Sequence, residues 1–505
     1  MAFGILEITA NQPSPPGTAL LKDVSVGAQD AEIVLVPQPS ASPADPLNMS
    51  RIRKELYFAA LIYGACVTGV VGPVLVPGFS IVAAAFQINL TQVTLLNGSL
   101  VMALGVSAYV CGPLTTLWGR RLVFLFTTLV MVFGCVWAGS AKSYKSLLGA
   151  RVFQGLGMGA FFSVAGTASI NDVFFIHQRG SRAGFWNFAV IVSVNAAPVI
   201  SGYVITGLSW QWSFRLLAIS FALAFVFSFF LMPETLFNRD SVVTGVEPSI
   251  FVSDHLEAKR PDSPAPGTLD SVRDVSSVGP PDKPALWKQI LGLQNVQMQP
   301  VTQLIPVLLR PLGLPRHPAI VWACAMWSVT YSWVIIQGAV ADQIFRAPPI
   351  ICLLIGIAPL VGSAIGTILG GWMCDWVAQI MVKRNGGVYE PEFRLVVFVP
   401  TLITIIIGSF GLGMAITGGL SIWVCAVFLG FLNFGVGHRA ADAFGVTMLV
   451  KSAFAFGLTF MLNDYYAEHG AKVFFFTWGA LTSGIILTTI PLYIFGKQIR
   501  ASVKI

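Results

Sequence analysis

Few ionisable side chains lie inside the long apolar stretches of this sequence. Two of them, Arg151 and Lys451, fall well inside such stretches. Carboxylates fall near the ends of these stretches, at Asp172, Asp342, Asp375 and Asp442. An ionisable group at the depth of a membrane is costly unless it is paired or hydrated, so each is a candidate functional group.

The two basic residues each allow two interpretations. Arg151 is either a cavity cation that helps proton coupling or substrate binding, or a packing arginine bonded to main-chain carbonyl groups. Lys451 is either a cavity charge or a residue near the end of a helix whose bounds are misplaced. Proton relays usually need Asp, Glu or His, and no histidine lies deep in an apolar stretch.

Polar and aromatic residues in the same stretches are candidates for the lining of a binding cavity. They are Tyr63, Thr68, Gln154, Asn187, Asn195, Trp327, Tyr331, Trp333 and Gln337. Asn187 and Asn195 are about two helical turns apart, which places them on roughly one face of a helix. Aromatic side chains suit flat or cationic organic ligands, although Trp and Tyr are also common at membrane interfaces.

Motifs of several enzyme and metal-binding classes are absent from the sequence. The only Gly-Lys pair is Gly496-Lys497, so there is no phosphate-binding P-loop, and no histidine is followed by glutamate. The seven cysteines include no Cys-x-x-Cys pair, which argues against a zinc site. We therefore predict no enzyme activity, no cofactor and no metal.

The elements that must position the candidate residues are membrane spans. The chain has 505 residues, of which 55% are hydrophobic and 10% charged, whereas soluble proteins carry about 25% charged residues. The net charge of +7 comes from basic residues in short loops. That placement indicates membrane topology and not a nucleic-acid partner.

Twelve apolar segments follow one another, and most reach the roughly 20 residues that a helix needs to cross a bilayer. The first six are 57–86, 94–117, 122–141, 147–170, 183–206 and 213–232. The second six are 319–343, 350–381, 393–416, 421–437, 441–462 and 471–495. The loops on one side of this arrangement hold most of the basic residues, so both termini are predicted to be cytosolic. We expect a multi-pass protein of the plasma membrane.

The chain is predicted to have five parts. Residues 1–50, rich in Pro, Ser and Ala, read as a disordered cytosolic tail. Residues 51–232 and 319–500 form two six-helix bundles. A central cytosolic linker at 233–318 joins them, and a short tail follows at 501–505.

Glycine-rich motifs relate the two halves and resemble those of the major facilitator superfamily. Gly112-Pro113-Leu114 followed by Gly119-Arg120-Arg121 is similar to the family's loop 2–3 signature, and span 8 carries a related glycine and Asp375 at its end. Other matches are Arg151-Val-Phe-Gln-Gly155 in span 4, Pro233-Glu234-Thr235 after span 6, and Gly184, Ser193, Ala197, Pro198, Ser201 and Gly202 on the antiporter pattern of span 5.

Two further segments, 45–50 and 383–395, resemble the fungal twelve-span drug:proton antiporters of that superfamily. The resemblance implies an all-α integral membrane fold of twelve transmembrane helices in two pseudo-symmetric six-helix bundles. It also implies a monomeric secondary active transporter that exports drugs or secondary metabolites by proton antiport. Its partners would be a small-molecule substrate, protons and the lipid bilayer.

Two other functions stay open. One is import of small nutrients, including cationic ones such as polyamines, because Ser193, Ala197 and Ser201 replace the usual glycines of the antiporter motif. The other is a transport-inactive membrane sensor, because spans 10 and 11 are joined by only three residues in the predicted arrangement. Thr116 also replaces the acidic residue of the loop 2–3 signature.

Three expectations concern single residues. If Arg151 is a cavity cation, Arg151→Ala abolishes transport with little loss of surface expression. Asp375 and Arg384 are expected to form a structural latch that stabilises one conformation. Asn89-Leu-Thr91 fits an N-glycosylation acceptor.

Span 10 is predicted to be unusually short. It covers about 17 residues, or roughly 25 Å at 1.5 Å per residue, whereas its counterpart, span 4, is longer and is followed by a full loop. We expect helix 10 to end near Gly435 or Gly437, with a turn of a few residues before helix 11, and we expect lower stability than in close relatives.

Overall fold

The computed structural model describes residues 5, 19–20, 45–237, 304–309, 311, 313, 317–344, 349–386, 388–437 and 446–502. Within these residues, nine helices are long and apolar enough to cross a membrane. Two shorter apolar helices, Ile422–Val436 and Thr447–Leu458, and the helix Tyr144–Ser163 complete the twelve predicted spans. The all-α membrane fold is therefore confirmed.

The first six spans follow one another through short connections. Span 1 is the helix Arg51–Val71, continued by the 3-10 segment Pro73–Gly78 and the helix Phe79–Phe86. Spans 2 to 6 are Leu90–Trp118, Arg120–Gly139, Tyr144–Ser163, Ile176–Gly207 and Trp210–Leu231, with a short helix, Ile170–Val173, before span 5. Pro73 and Pro77 explain the change of helix type in span 1, because proline lacks a backbone donor and clashes with the preceding turn.

The second six spans repeat this order. Spans 7 to 10 are Pro318–Ile344, Pro349–Arg384, Phe398–Thr417 and Ile422–Gly437. Span 11 is Val446–Leu458 and continues, after a turn, into the helix Leu462–Leu487. Gly470 breaks that helix with a φ of 73° and a ψ of 173°, a conformation open to glycine. The part before Gly470 therefore completes span 11, and the part after it begins span 12, which ends in Thr489–Ser502.

The helix of span 11 continues past its predicted end at residue 462. The polar residues from Asn463 to His469, which lie between the predicted spans 11 and 12, are helical. A helix satisfies its own backbone hydrogen bonds, so it can continue with polar side chains where it leaves the apolar core.

The predicted pseudo-symmetry is visible in how the spans pack. Span 2 packs on span 4 and span 3 on span 6, while span 8 packs on span 10 and span 9 on span 12. A Cβ added to Gly159 of span 4 would lie 2.6 Å from the main chain of Ser107 in span 2. A Cβ added to Gly366 of span 8 would lie 2.9 Å from Cα of Phe434 in span 10. Glycine thus permits close helix packing at equivalent places in both halves.

The two halves meet along two pairs of spans. Span 2 packs on span 11, and span 5 packs on span 8. We call the end of the bundle where spans 1 and 3 begin, at Arg51 and Arg120, the basic face, and the other end the opposite face. Towards the opposite face, Thr91 Oγ1 of span 2 donates to Asp464 Oδ1 of span 11 at 3.2 Å.

The contact between the halves continues inward from that end. Asn463 Nδ2 donates to Thr94 Oγ1 at 2.7 Å, and a Cβ on Gly338 of span 7 would lie 3.2 Å from Val76 of span 1. The halves are therefore in direct contact on the opposite face.

Parts of the predicted disordered tail have defined positions. Ala19–Leu20 pairs as an antiparallel strand with Val388–Tyr389 in the loop between spans 8 and 9. Ile5 is buried against Val382 and Phe393 of the same region. These residues do not fit the predicted disordered tail. They are held by strand pairing and by an apolar cluster in the loop between spans 8 and 9.

The amino-terminal tail also joins the first half immediately before span 1. Asp45 Oδ1 accepts a hydrogen bond from the Leu47 N–H at 3.0 Å. Lys54 Nζ donates to the Leu47 carbonyl oxygen at 2.9 Å. Of the predicted linker, the helix Leu304–Leu309 packs on span 2, where the Tyr109 hydroxyl donates to the carbonyl oxygen of Leu308.

The described part of the tenth span has 16 residues, Ile422–Gly437, whereas span 4 has 20. The predicted turn at 438–440 lies outside the described residues, which resume with span 11 at Val446. The predicted end of helix 10 near Gly435 or Gly437 therefore stays a prediction. The expectation of lower stability stays a prediction.

Candidate functional site

A cavity of about 190 Å³ lies between the two halves. Spans 1, 2, 4 and 5 line it on one side and spans 7, 8, 10 and 11 on the other. One water needs roughly 10–15 Å³ of such space, so the cavity has room for a small organic molecule. Its position at the junction of two pseudo-symmetric bundles is where transporters built from repeats bind their substrates.

The cavity wall is mostly apolar, with a few polar side chains. The polar lining residues are Asn97, Asn187, Asn195, Thr330, Ser363, Asn433 and Lys451. Trp186, Trp327, Tyr331 and Phe162 add aromatic surface. An apolar wall with a small number of placed polar groups is typical of small-molecule sites.

Lys451 is the charged group in the described lining. Its side chain is 6% exposed, and its Nζ lies 4.4 Å from the ring centroid of Tyr331 and 5.1 Å from that of Trp327. None of the ion pairs between described residues includes Lys451. Of the two interpretations of this residue, the structure favours the cavity charge.

Span 11 is held against span 2 in a way that places Lys451 in the cavity. A Cβ on Gly105 would lie 2.8 Å from Oγ of Ser452, the residue after Lys451. This close contact lets span 11 approach the first half along one face. Lys451 lies next to that contact, and its ammonium group faces the rings of Trp327 and Tyr331 in span 7.

Arg151 does not line the cavity and is fully buried within the first half. Its Nη1 donates to the Val71 carbonyl oxygen at 2.8 Å and to Gln154 Oε1 at 3.2 Å, and its Nη2 donates to Asn97 Oδ1 at 3.2 Å. Its guanidinium lies 5.2 Å from the ring centroid of Phe214. Of the two interpretations, these contacts favour a packing arginine that ties span 4 to spans 1, 2 and 6.

Four other predicted lining residues also pack inside one half. Gln154 Nε2 donates to the Gly134 carbonyl oxygen at 3.1 Å, and Trp333 Nε1 donates to Thr482 Oγ1 at 3.1 Å. The Thr68 hydroxyl donates to its own helix at the Gly64 carbonyl oxygen. Tyr63 likewise donates to a main-chain carbonyl oxygen, that of Ser220 in span 6. Sequence position within a span did not reveal which helix face each of them occupies.

The structure does bring Asn187, Asn195, Trp327 and Tyr331 together around the cavity. Asn195 Nδ2 donates to Ser363 Oγ at 3.0 Å, which joins span 5 to span 8 across the two halves.

Gln337 reaches the cavity indirectly. Its Oε1 accepts a hydrogen bond from Nδ2 of the lining residue Asn433 at 3.2 Å. Its Nε2 is buried without a hydrogen-bond partner among the described residues.

Four polar lining residues were missed by the sequence analysis: Asn97, Thr330, Ser363 and Asn433. Asn433 and Ser363 are isolated polar residues in apolar stretches, which is the signal that identified Asn187 and Asn195. Asn97 gave the same signal near the start of span 2.

The loop 2–3 motif forms a cluster on the basic face. Gly119 separates spans 2 and 3 with a φ of 91°, a value that favours glycine. Glu234, from the Pro-Glu-Thr motif, accepts hydrogen bonds from the backbone N–H groups of Arg120 at 2.9 Å and Arg121 at 3.0 Å. Arg120 Nε lies 2.7 Å from Asp172 Oδ2. Sequence analysis missed both carboxylates as partners of this loop.

The remaining motif residues, Gly112, Pro198 and Gly202, differ in how closely they pack against other spans. A Cβ on Gly112 would meet nothing within 4 Å, so this glycine does not mark a close helix contact. Pro198 lies inside span 5, and a Cβ on Gly202 would lie 3.7 Å from Pro77. The antiporter-like segment of span 5 thus packs against the 3-10 part of span 1.

The predicted latch between Asp375 and Arg384 is not formed. Both residues are exposed on span 8, and nine residues of helix separate them by roughly 13 Å along the axis. In the second half, the pairing occurs elsewhere: Lys497 Nζ lies 2.9 Å from Glu390 Oε1. Arg500 completes this cluster with bonds to Glu390 at 2.9 Å and to Glu392 at 2.8 Å.

Asn89 occupies the N-cap position of span 2 on the opposite face. Its backbone N–H donates to Gln92 Oε1 at 3.2 Å, and the residue is exposed. The glycosylation sequence therefore begins at the very start of a helix.

Comparison with known proteins agrees with this arrangement. The sequence model of the Major Facilitator Superfamily matches residues 56–464. An uncharacterised MFS-type transporter of Schizosaccharomyces pombe is 25% identical over 96% of this chain and 92% of its own length. Protein HOL1 of Saccharomyces cerevisiae is 23% identical over 94% of this chain and 91% of its own length.

Among solved structures, the xylose transporter XylE from E. coli in a partially occluded inward-open conformation has a similar fold. The TM-score is 0.58 at 12% identity, over 87% of this chain and 99% of that one. At this identity the likeness concerns the fold alone.

Proposed function

The chain belongs to the major facilitator superfamily, and from that premise we propose that this secondary transporter exports a small organic compound, such as a drug or secondary metabolite, in exchange for protons. The central cavity carries this proposal. It is enclosed by both halves, has an apolar wall and holds a few polar groups, as an organic compound requires.

The halves are built to move as units. The ion pairs between Arg120 and Asp172 and between Arg182 and Glu55 lie in the first half. The cluster of Glu390, Glu392, Lys497 and Arg500 lies in the second half. Rocking of one half against the other leaves these pairs intact, which supports alternating access around a fixed central site.

Export by antiport rests on the resemblance of span 5 to the antiporter motif. The proposal places the basic face in the cytosol of a plasma-membrane protein, since basic loops stay on the cytosolic side. The contacts on the opposite face, such as Thr91–Asp464, then close the cavity from outside. Import of a cationic nutrient is the weaker alternative, because Lys451 would repel a cation in the cavity.

Flux measurements test the function. A mutant lacking the protein and an overexpressing strain are compared for retention of fluorescent or radiolabelled organic compounds. An exporter leaves more compound in cells without the protein, an importer leaves less, and a sensor changes neither flux. Trp327→Ala in the cavity wall should reduce the flux, while Trp372→Ala, on an exposed face of span 8, should not.

Glycosylation of Asn89 tests the orientation. If the opposite face is outside the cell, Asn89 is accessible to the glycosylation machinery, because the residue is exposed. Treatment with an N-glycosidase should then increase the gel mobility of the wild-type protein and leave Asn89→Gln unchanged. Equal mobility of treated and untreated wild type would show that Asn89 is not modified.

A further inference from the structure

We propose that the transported compound is an organic anion, whose carboxylate or similar acidic group pairs with Lys451 while its apolar body lies against Trp327 and Tyr331. This inference rests on the proposed function and names the substrate class of its cavity. The juxtaposition that carries it is a buried lysine in an apolar cavity, with no carboxylate in the described lining.

Lys451 lies where a ligand can reach it. It lines the cavity, although 94% of the side chain is covered (6% exposed). An ammonium group in such surroundings is costly unless a counter-charge or water accompanies it. The rings of Trp327 and Tyr331, at 5.1 and 4.4 Å, stabilise the cation by their π faces but do not neutralise it.

The described lining supplies no internal counter-charge. It contains no Asp or Glu, and its other polar residues are amides and hydroxyls. Within the part of the chain that the structure describes, the cavity therefore carries one positive charge. A bound anion would neutralise that charge, whereas a cation would be repelled and a neutral compound would leave the charge unpaired.

A second buried donor lies behind the cavity wall. Gln337 Nε2 is a buried donor without a partner among the described residues, and the same side chain is hydrogen-bonded to Asn433 of the cavity wall. An unsatisfied buried donor costs free energy that a ligand oxygen can recover. Carboxylate oxygens accept hydrogen bonds from both ammonium and amide groups.

The aromatic side chains define the rest of the ligand. Trp327 and Tyr331 lie one helical turn apart on span 7, and Trp186 and Phe162 contribute to the wall from spans 5 and 4. These surfaces bury an apolar or aromatic body. The predicted substrate is thus amphipathic, with one acidic group.

Binding of a matched series of probes to the purified full-length protein tests the inference. Indole-3-acetate, indole-3-acetamide and tryptamine share one aromatic body and carry a negative, a neutral and a positive group. Competition by each against a radiolabelled indole-3-acetate tracer is measured on the wild type. We expect the acid to bind at least tenfold more tightly than the amide or the amine.

Variants of Lys451 test whether this residue causes the preference for the acid. Lys451→Met should reduce binding of the acid at least tenfold and remove its advantage over the amide, while Lys451→Arg, which keeps the charge, should retain that advantage. Lys472→Met is the matched control, because Lys472 also lies near an aromatic ring, that of Phe476 at 5.9 Å, but is exposed. Size-exclusion profiles establish that each variant is folded.

The outcomes separate the inference from the proposed function. Binding of the amine or the amide as tightly as the acid, failure of all three probes, or full acid binding by Lys451→Met would overturn the anion inference. If the cells export compounds without a preference for anions, the transport function stands and the inference fails. Acid binding that depends on Lys451 without any flux would support an anion site in the cavity but refute transport, and with it the anion as a transported compound.

Discussion

Arg151 and Lys451 are both buried basic residues of central helices, but their surroundings differ. Arg151 donates to one main-chain carbonyl and two amide oxygens, so its hydrogen-bonding capacity is largely used inside the first half. Lys451 faces two rings and an open cavity. The first is therefore a packing residue and the second is available to a ligand.

Replacing Arg151 should reduce stability before it affects transport. We expect Arg151→Ala to lower the free energy of unfolding by at least about 2 kcal/mol, because each of the two buried acceptors left unsatisfied, the Val71 carbonyl oxygen and Gln154 Oε1, costs about 1–3 kcal/mol. Thermal unfolding in detergent and surface expression measure this change. Arg215→Ala is the control, since Arg215 also lies over an aromatic ring, that of Trp212, but is exposed. A variant with normal stability and no transport would restore the cavity interpretation of Arg151.

The sequence identified both basic residues as unusual but could not assign their roles. The hydrophobic pattern places a residue along a span, whereas the role depends on which helix face meets the cavity. That face is set by contacts far apart in sequence, such as Arg151 with Val71 and Lys451 with Trp327. Asn187 and Asn195 do line the cavity, as the sequence predicts, because two residues on one helix face give a direction that a single residue lacks.

At the level of elements, close packing depends on a glycine at the equivalent interface of each half, between spans 2 and 4 and between spans 8 and 10. We expect Gly159→Ala and Gly366→Ala each to destabilise the protein by about 1–3 kcal/mol, because an added methyl group in a packed interface forces the helices apart. Gly184→Ala and Gly371→Ala are controls at positions where a Cβ meets nothing within 4 Å. The measurement is the unfolding temperature of each of the four variants. Equal unfolding temperatures for the test and control variants would refute close packing at Gly159 and Gly366.

The first turn of span 3 depends on Glu234. Its carboxylate accepts N–H groups of Arg120, Arg121, Thr235 and Leu236, and a negative charge at a helix N-terminus is favourable. We expect Glu234→Gln to cost about 1–2 kcal/mol, measured as a lower unfolding temperature. Glu468→Gln, at an exposed residue, should have no effect. An unchanged temperature for Glu234→Gln would mean that water replaces the cap.

The sequence predicted the spans well and their connections poorly. Long apolar runs identify helices because the bilayer requires about 20 such residues. The latch at Asp375 failed because the carboxylates that pair in this half, Glu390 and Glu392, lie in the following loop. Loop contacts of this kind follow from tertiary structure, which hydrophobic periodicity does not encode.

For the whole molecule, transport requires the two halves to separate on the opposite face. A disulfide in the double variant Thr91→Cys/Asp464→Cys should join spans 2 and 11 where their side chains already touch. We expect oxidation to abolish flux and a reducing agent to restore it, since the halves can no longer rock apart. The two single variants, treated in the same way, are the controls. Continued flux after complete cross-linking would contradict opening at this contact.

The antiparallel pair of strands Ala19–Leu20 and Val388–Tyr389 can form only late in biosynthesis. The amino-terminal segment leaves the ribosome first, but its partner emerges only after eight spans have been made. At 5–20 residues per second, the wait is on the order of tens of seconds. The tail therefore docks after most of the protein has entered the bilayer, and its arrival marks a late stage in assembly.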